Sequence, residues 1–448
     1  MATLTRPTGV RVCAPDHVLG LKGNVLRIDA TGLMPFTGEL CEVSWGDDSS
    51  SFGRVIAFEG NETLVQVYNG TLGVARNATV TLSGKAQELT FSPGSLGRVF
   101  SGAGVPLDGK AAPKGKSVPI GTPSVNPMHR EMPSQFVETG VPMIDIFNSL
   151  VASQKIPIFS VPGEAYNDLL VRIAGKANAD VIVFGAMGFT PAEYDRVMEL
   201  LRTQGALSKS VVYAHTTADS TAECLMTPDM VLSTAENYAL EGKNVLVLLS
   251  DFTEYANALK SMQNDMGQIP AERGFPGNLY TQLARRYEKA CDFRGAGSVT
   301  ILAVTTMPNA DFTHPVPDNT GYITEGQFYL LNSMLDPFRS LSRLKQNVNK
   351  DTREDHRGIM TAMVRLYANA RTAKEKADMG HELNRRDKRL LAFAEAFETR
   401  LMRLEVTMPL FSALDACWDI LRNNFDRTEL PLDQHLLDKY WNEKEVTS

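Results

Sequence analysis

No run of about 18 apolar residues occurs in this 448-residue chain, so no membrane-spanning helix is predicted. The first residues lack the apolar core of a secretory signal. The expectation is a cytoplasmic chain that reaches a membrane only through partners. The cysteines (Cys13, Cys41, Cys224, Cys291 and Cys417) are odd in number, widely spread and form no C-x-x-C. That excludes a disulfide framework and a cysteine zinc site, and fits a reducing cytosol. The seven histidines form neither H-x-x-x-H nor H-E-x-x-H, so no metal site is expected. No long Lys/Arg cluster stands out and the net charge is −7, which argues against nucleic acid as a partner. What the chain does have is an ordinary hydrophobic fraction of 43% and length for two to four domains at about 100–200 residues each.

The most informative stretch runs from Gln154 to Ala174 and reads strand, tight turn, helix. Ile156 to Val161 is a short apolar run, Pro162-Gly163 punctuates it, and Asp168 to Ala174 shows apolar residues at helical spacing. That is the setting of a phosphate-binding loop, in which backbone N–H groups at a helix N-terminus hold phosphates. A working loop reads G-x-x-x-x-G-K-[ST]. Aligned by strand and helix, its second Gly falls on Ala165, its Lys on Tyr166 and its Ser/Thr on Asn167. No ammonium reaches the phosphates and no hydroxyl is offered to Mg²⁺. Glu164 and Asp168 put negative charge where phosphates would sit, or else simply suit a helix N-terminus. Either way the loop is not expected to split ATP, and Asn167 is left as a minor candidate for touching nucleotide.

From 154 to about 306, five continuous apolar or β-branched runs alternate with helical segments: 156–161, 180–184, 210–214, 244–250 and 298–305. Continuous rather than alternating runs are what a parallel sheet buried on both faces requires. Thr190-Pro-Ala-Glu193, Ser220-Thr-Ala-Glu223 and Ser233-Thr-Ala-Glu236 read as capping boxes opening helices. Asp251 ends the run Val245–Ser250 and has two readings: a metal-side carboxylate, or a carboxylate that caps the following turn. Before this core, close-spaced strands separated by Gly, Asn and Asp predict a small closed β-barrel over residues 1–75. Residues 76 to about 135 are rich in Gly and Pro, and Ala111 to Pro133 is expected to be mostly extended. After 346, apolar residues at three- and four-residue steps (Ile359, Met363, Leu366; Leu390, Phe393, Phe397, Leu401, Leu404) predict a helical bundle, with only the last few residues disordered.

Several longer motifs carry a resemblance. They are Glu138-Thr-Gly-Val-Pro-Met-Ile-Asp145, Pro270-Ala-Glu-Arg-Gly-Phe-Pro-Gly-Asn-Leu-Tyr280, Tyr322-Ile-Thr-Glu-Gly-Gln327, Ser340-Leu-Ser-Arg-Leu344 and Asp351-Thr-Arg-Glu-Asp-His356. Together they resemble the non-catalytic B subunit of the V/A-type rotary ATPases and ATP synthases along nearly the whole chain. In that family the phosphate loop has lost its lysine and kept its frame. In catalytic relatives the strand end near Met187 carries a glutamate that orients water, which Met187 cannot do.

The resemblance implies an α/β nucleotide-binding-like core (76–345) between the N-terminal barrel (1–75) and a C-terminal helical domain (346–448). It implies an alternating A3B3 ring with a catalytic A subunit, a central stalk rotor, a peripheral stalk and a membrane ion-translocating sector. It places Arg343 on the arginine that projects into the neighbour's ATP site, with Ser342 as a secondary nucleotide contact. It also faces the loop around Gly274-Phe-Pro-Gly277 toward the rotating shaft. No cofactor is expected to be tightly bound; ATP or ADP with Mg belongs to the interface with A. One departure is Arg339, where the family has proline: a second cation that could compete for phosphate. Two rivals stay open: a self-sufficient catalytic ATPase of the same fold, and a purely structural ring subunit.

Overall fold

The computed structural model describes residues 9–46, 49–68, 70–121, 129–348 and 351–441. The expected disorder of the last few residues, and part of the proline-rich extended run, lie outside them.

Seven strands form the N-terminal sheet: β1 (Arg11–Cys13), β2 (Val18–Lys22), β3 (Val25–Asp29), β4 (Glu39–Trp45), β5 (Ser49–Glu59), β6 (Glu62–Val67) and β7 (Thr79–Ala86). They pair antiparallel in the order β1-β7-β4-β5-β6-β3-β2. The alternate residues Leu26, Ile28, Cys41, Val43, Val55, Val65, Val80 and Leu82 share one buried core. This sheet runs to Ala86, past the boundary expected near residue 75. Thr79 to Leu82 alternates polar and apolar, and Val80 and Leu82 lie opposite Val43 and Cys41, so β7 covers core that would otherwise be exposed.

A short antiparallel pair, β8 (Glu88–Phe91) with β10 (Lys116–Pro119), leads to the central sheet. Its parallel members are β9 (Val99–Ser101), β13 (Lys155–Ser160), β14 (Val181–Phe189), β15 (Ser210–Thr216), β16 (Asn244–Ser250), β18 (Ser298–Thr306) and β19 (Gly326–Leu331). Antiparallel additions are β17 (Cys291–Asp292), β20 (Met334–Leu335) and β21 (Leu341–Ser342). A separate pair, β11 (Phe136–Val137) with β12 (Leu150–Val151), brackets the one-turn helix α1 (Pro142–Asp145). The five apolar runs are all strands. Their continuity has the expected cause: Val245, Val247 and Leu249 of β16 face one core while Leu246 and Leu248 face the other.

Helices cover both faces: α2 (Tyr166–Lys176), α3 (Pro191–Thr203), α4 (Thr221–Leu240), α5 (Phe252–Met266), α6 (Leu279–Tyr287) and α7 (Pro315–Ile323). The capping box of Thr190 with Glu193 is present, and Ser220 caps α4 by accepting from the Glu223 N–H. The third expected box is wrong. Ser233 lies in the middle of α4, and Glu236 pairs with Lys289 at 2.7 Å. Met230, Val231, Leu232 and Ala235 are all buried, so tertiary burial carries the helix through a local start signal.

The C-terminal part is helical: α8 (His356–Asp378), α9 (Arg385–Phe397), α10 (Leu410–Asn424) and α11 (Gln434–Tyr440). Its expected apolar residues, Ile359, Met363, Leu366, Leu390, Phe393, Phe397, Leu401 and Leu404, are buried in the same core as Ile156, Leu246 and Leu302. The bundle therefore packs on one face of the central sheet. At its start Arg353 grips the buried Asp355 through Nε (2.7 Å) and Nη2 (2.9 Å), and Asp355 also accepts the indole N–H of buried Trp418 at 2.7 Å. Removing the arginine strands a buried carboxylate. Arg353→Ala is expected to cost about 3 kcal/mol, read as a lowered urea midpoint at unchanged slope.

Candidate functional site at two ends of one sheet

The turn after β13 has the frame of a phosphate loop and none of its chemistry. Glu164 does not face a vacant anion site. Its Oε1 accepts from the Asn332 N–H at 2.7 Å and its Oε2 from the Ser333 N–H at 2.8 Å. Asn332 and Ser333 have φ of 53° and 55°, a left-handed pair joining β19 to β20, which aims both N–H groups at one carboxylate. That turn touches the C-terminal domain, where the Leu404 N–H donates to the Ser333 carbonyl at 3.2 Å. Glu164 is thus a strut between the loop and the helical domain. Asp168 is bound to Arg196 at 2.7 Å.

Tyr166 occupies the lysine position and packs partly buried against the core beneath the helical domain. Burial, with Asp251, Glu193 and Glu254 nearby, pushes its phenol pKa upward. Three carboxylates thus lie near the position where a phosphate loop carries its ammonium. Asn167, the minor nucleotide candidate, is buried and its side-chain oxygen accepts from Ser250 Oγ at 2.7 Å. Asp251 takes the second of its two readings: it caps α5, accepting from the Thr253 N–H at 2.6 Å, and also from Thr306 Oγ1 at 2.5 Å. Burial lifts its pKa to about 6. Met187 is buried in the core. These side chains do not fit a resident Mg·nucleotide: the ammonium and the hydroxyl are missing, and Asp251 is held by threonines.

Arg343 sits at the other end of the sheet. It follows β21, whose Leu341 and Ser342 pair with Gln327 and Gly326 at the start of β19. The Arg343 N–H donates to the Glu325 carbonyl at 3.0 Å. Glu325 in turn holds the start of β13, with Oε1 2.6 Å from Lys155 Nζ and Oε2 accepting the Lys155 N–H at 3.0 Å. The phosphate-loop turn leaves the far end of that six-residue strand, roughly 17 Å away at about 3.3 Å per residue. Arg343 is exposed, and among the described residues its guanidinium has no hydrogen-bond or ion-pair partner.

Ser342 cannot serve as the expected nucleotide contact. It is 1% exposed, and its hydroxyl donates to the Ser149 carbonyl at 2.9 Å. Arg339 is exposed but engaged, lying over the Tyr329 ring at 4.9 Å and 3.8 Å from Asp336. Gln154 and Glu325 carry no site signal of their own in the sequence, although both stand within its most informative stretches.

The Thr139-Gly140…Asp145 motif acquires a physical meaning. Fully buried Asp145 accepts from the N–H and the hydroxyl of Thr139 (2.9 and 2.7 Å) and from the Gly140 N–H (2.8 Å), which closes the turn before β12. The loop at Gly274–Gly277 is braced by Arg273, which bonds Asp311 at 2.6 Å and Thr313 at 3.0 Å, and it leaves Ile269 91% exposed.

This barrel, parallel sheet and helical domain define a class. Residues 140–337 match the nucleotide-binding domain of the ATP synthase alpha/beta family, residues 20–84 its beta-barrel domain, and residues 345–441 the C-terminal domain of V and A type ATP synthase. Among curated relatives, the V-type ATP synthase beta chain of Borreliella afzelii (strain PKo) is 49% identical over 431 residues, covering 96% of this chain and 99% of that one. The proteins of the same name from Chlamydia muridarum and Treponema denticola are 48% and 49% identical, each over 95% of this chain, covering 97% and 98% of their own lengths. The chain belongs to the V-type ATP synthase beta-chain family.

Glu164→Ala removes two charge-assisted bonds, each worth about 1.5–3 kcal/mol before solvent screening. Amide exchange at Asn332, Ser333 and Leu404 should accelerate while the barrel's stays unchanged. Burial also lifts the Asp145 carboxyl to about 7, above its unfolded value of about 3.9. The native state then keeps a proton that the unfolded chain has lost. Asp145's contribution is full below about pH 4 and fades as the pH rises through 7. In urea melts from about pH 4 to 8, the stability of Asp145→Asn should fall less steeply with pH than the parent's.

Proposed function

We propose that this chain is the non-catalytic B subunit of a V/A-type rotary ATPase/ATP synthase, alternating with a catalytic A subunit in a ring that couples ATP turnover to proton or sodium transport. The observation that carries the reading is Arg343. An exposed guanidinium, without a hydrogen-bond or ion-pair partner among the described residues, stands on a pinned piece of backbone, at the end of the sheet opposite a phosphate loop that lacks its lysine.

A head-to-tail ring needs two unlike faces on each subunit. Here one end of the sheet offers a loop without the phosphate-binding lysine and the other an exposed cation. ATP bound to the neighbour would supply the phosphoryl group, and Arg343 would offer permanent, bidentate positive charge to its oxygens. Because this chain's own loop lacks a lysine, catalysis in cis is not part of the proposal. The braced loop with exposed Ile269 suits contact with a central stalk. No helix among the described residues is long and apolar enough to cross a membrane, so attachment at the cytoplasmic membrane surface would run through partner subunits.

The isolated chain should show no ATP hydrolysis. In the complex with its A partner, Arg343→Ala should lower kcat by ~10³ or more while the complex still elutes intact on gel filtration. Full turnover by that variant complex would leave a purely structural ring subunit; strong turnover by the isolated chain would make it a catalytic ATPase.

A further inference from the structure

We propose that Ser342 and Gln154 are positioning residues for Arg343. This rests on the reading that Arg343 acts on the neighbouring subunit's nucleotide.

The guanidinium has no side-chain partner among the described residues, so its placement depends on the backbone that carries it. That backbone is only a two-residue strand, β21, at the margin of the sheet. A short edge strand held by ladder bonds alone would fray, and a charge misplaced by about 1 Å can lose about 10²-fold in rate. The structure supplies a buried anchor. Ser342 points inward, donates to the Ser149 carbonyl at 2.9 Å and accepts from Gln154 Nε2 at 3.2 Å. Gln154 is 0% exposed, and its Oε1 accepts the Val151 N–H at 2.8 Å.

The anchor is closed from both sides. A Cβ at Gly326 would sit 2.1 Å from the Leu341 carbonyl oxygen, so only glycine lets β21 lie this close to β19. Two residues beyond Arg343, Lys345 Nζ donates to the Phe147 carbonyl at 3.2 Å. The segment 147–154 therefore grips the chain on each side of the exposed Arg343. Ser342 and Gln154 touch no substrate; they act through the arginine.

The test is a double-variant comparison in the complex with the A subunit, measuring steady-state ATP hydrolysis. Ser342→Ala and Gln154→Leu are each expected to lower kcat about 10- to 100-fold with KM for Mg·ATP within about two-fold, because the interaction is made in the transition state. Ser342→Cys, which keeps size and a weak donor, should recover part of the rate. In the Arg343→Ala background, Ser342→Ala should change the residual rate by less than about two-fold, since residues acting through one group are not additive.

If Arg343→Ala is crippled while Ser342→Ala and Gln154→Leu keep the parent kcat, the anchor proposal is overturned and the role of Arg343 stands. The anchor proposal also fails if Ser342→Ala costs the same factor in both backgrounds, which marks a general structural loss. If Arg343→Ala itself keeps full turnover, the underlying reading fails and takes the anchor with it. Should Ser342→Ala fail to assemble, Ser342→Cys and Gln154→Leu decide by the same criteria.

Discussion

The Lys155–Glu325 pair is the contact on which the geometry of both sheet ends depends. Lys155 is only 9% exposed, and a buried ammonium without a partner is costly. Glu288 lies 3.4 Å from that ammonium, and Glu325, at 2.6 Å, supplies the closer partner and more. Its carboxylate holds both the ammonium and the N–H of Lys155, its N–H donates to the Lys155 carbonyl at 3.3 Å, and its carbonyl takes the Arg343 N–H. One residue thereby sets the start of β13, the start of β19 and the departure of the chain after β21. Along β13 the same register delivers the phosphate-loop turn at the opposite end. The separation between the two ends is a consequence of strand length.

At the phosphate-loop end of the sheet the polar side chains take structural roles. Glu164 braces the hairpin turn that meets the helical domain, Asn167 ties α2 to the end of β16 through Ser250, and Asp251 caps α5 and bonds Thr306. Each is a polar group near a buried sheet end, and such groups must be satisfied. These bonds tie the turn, α2 and α5 to the neighbouring strand ends.

Much of this is legible in the chain. Continuous apolar runs name the parallel strands, because burial on both faces leaves no polar alternation. The Thr190–Glu193 capping box is a local signal that local structure obeys. Asp251 reads two ways in the sequence, since both readings put a carboxylate at the end of a strand, and only its threonine partners choose between them. The failures are as physical. Ser233-Thr-Ala-Glu236 has the letters of a capping box, but a helix already under way and buried on that side has no reason to stop. Strand β7 escapes notice because Thr79–Ala86 follows a turn-rich stretch, and its partners β1 and β4 lie far away in sequence. Ser342 looks like a nucleotide contact because it adjoins Arg343, yet neighbours on a strand point to opposite faces.

Residue types settled what chemistry is possible. Tyrosine, asparagine and methionine cannot replace lysine, a hydroxyl and glutamate at a phosphate site, and no folding rescues an absent ammonium. Family motifs settled the lineage, since long matched stretches require no coordinates. Tertiary structure alone decided direction and hold: which end of the sheet carries Arg343, which polar groups are already bonded, and what keeps a two-residue strand in place. The reason is that those contacts join residues as far apart as Gln154 and Ser342, whose separation along the chain carries no trace of their hydrogen bond.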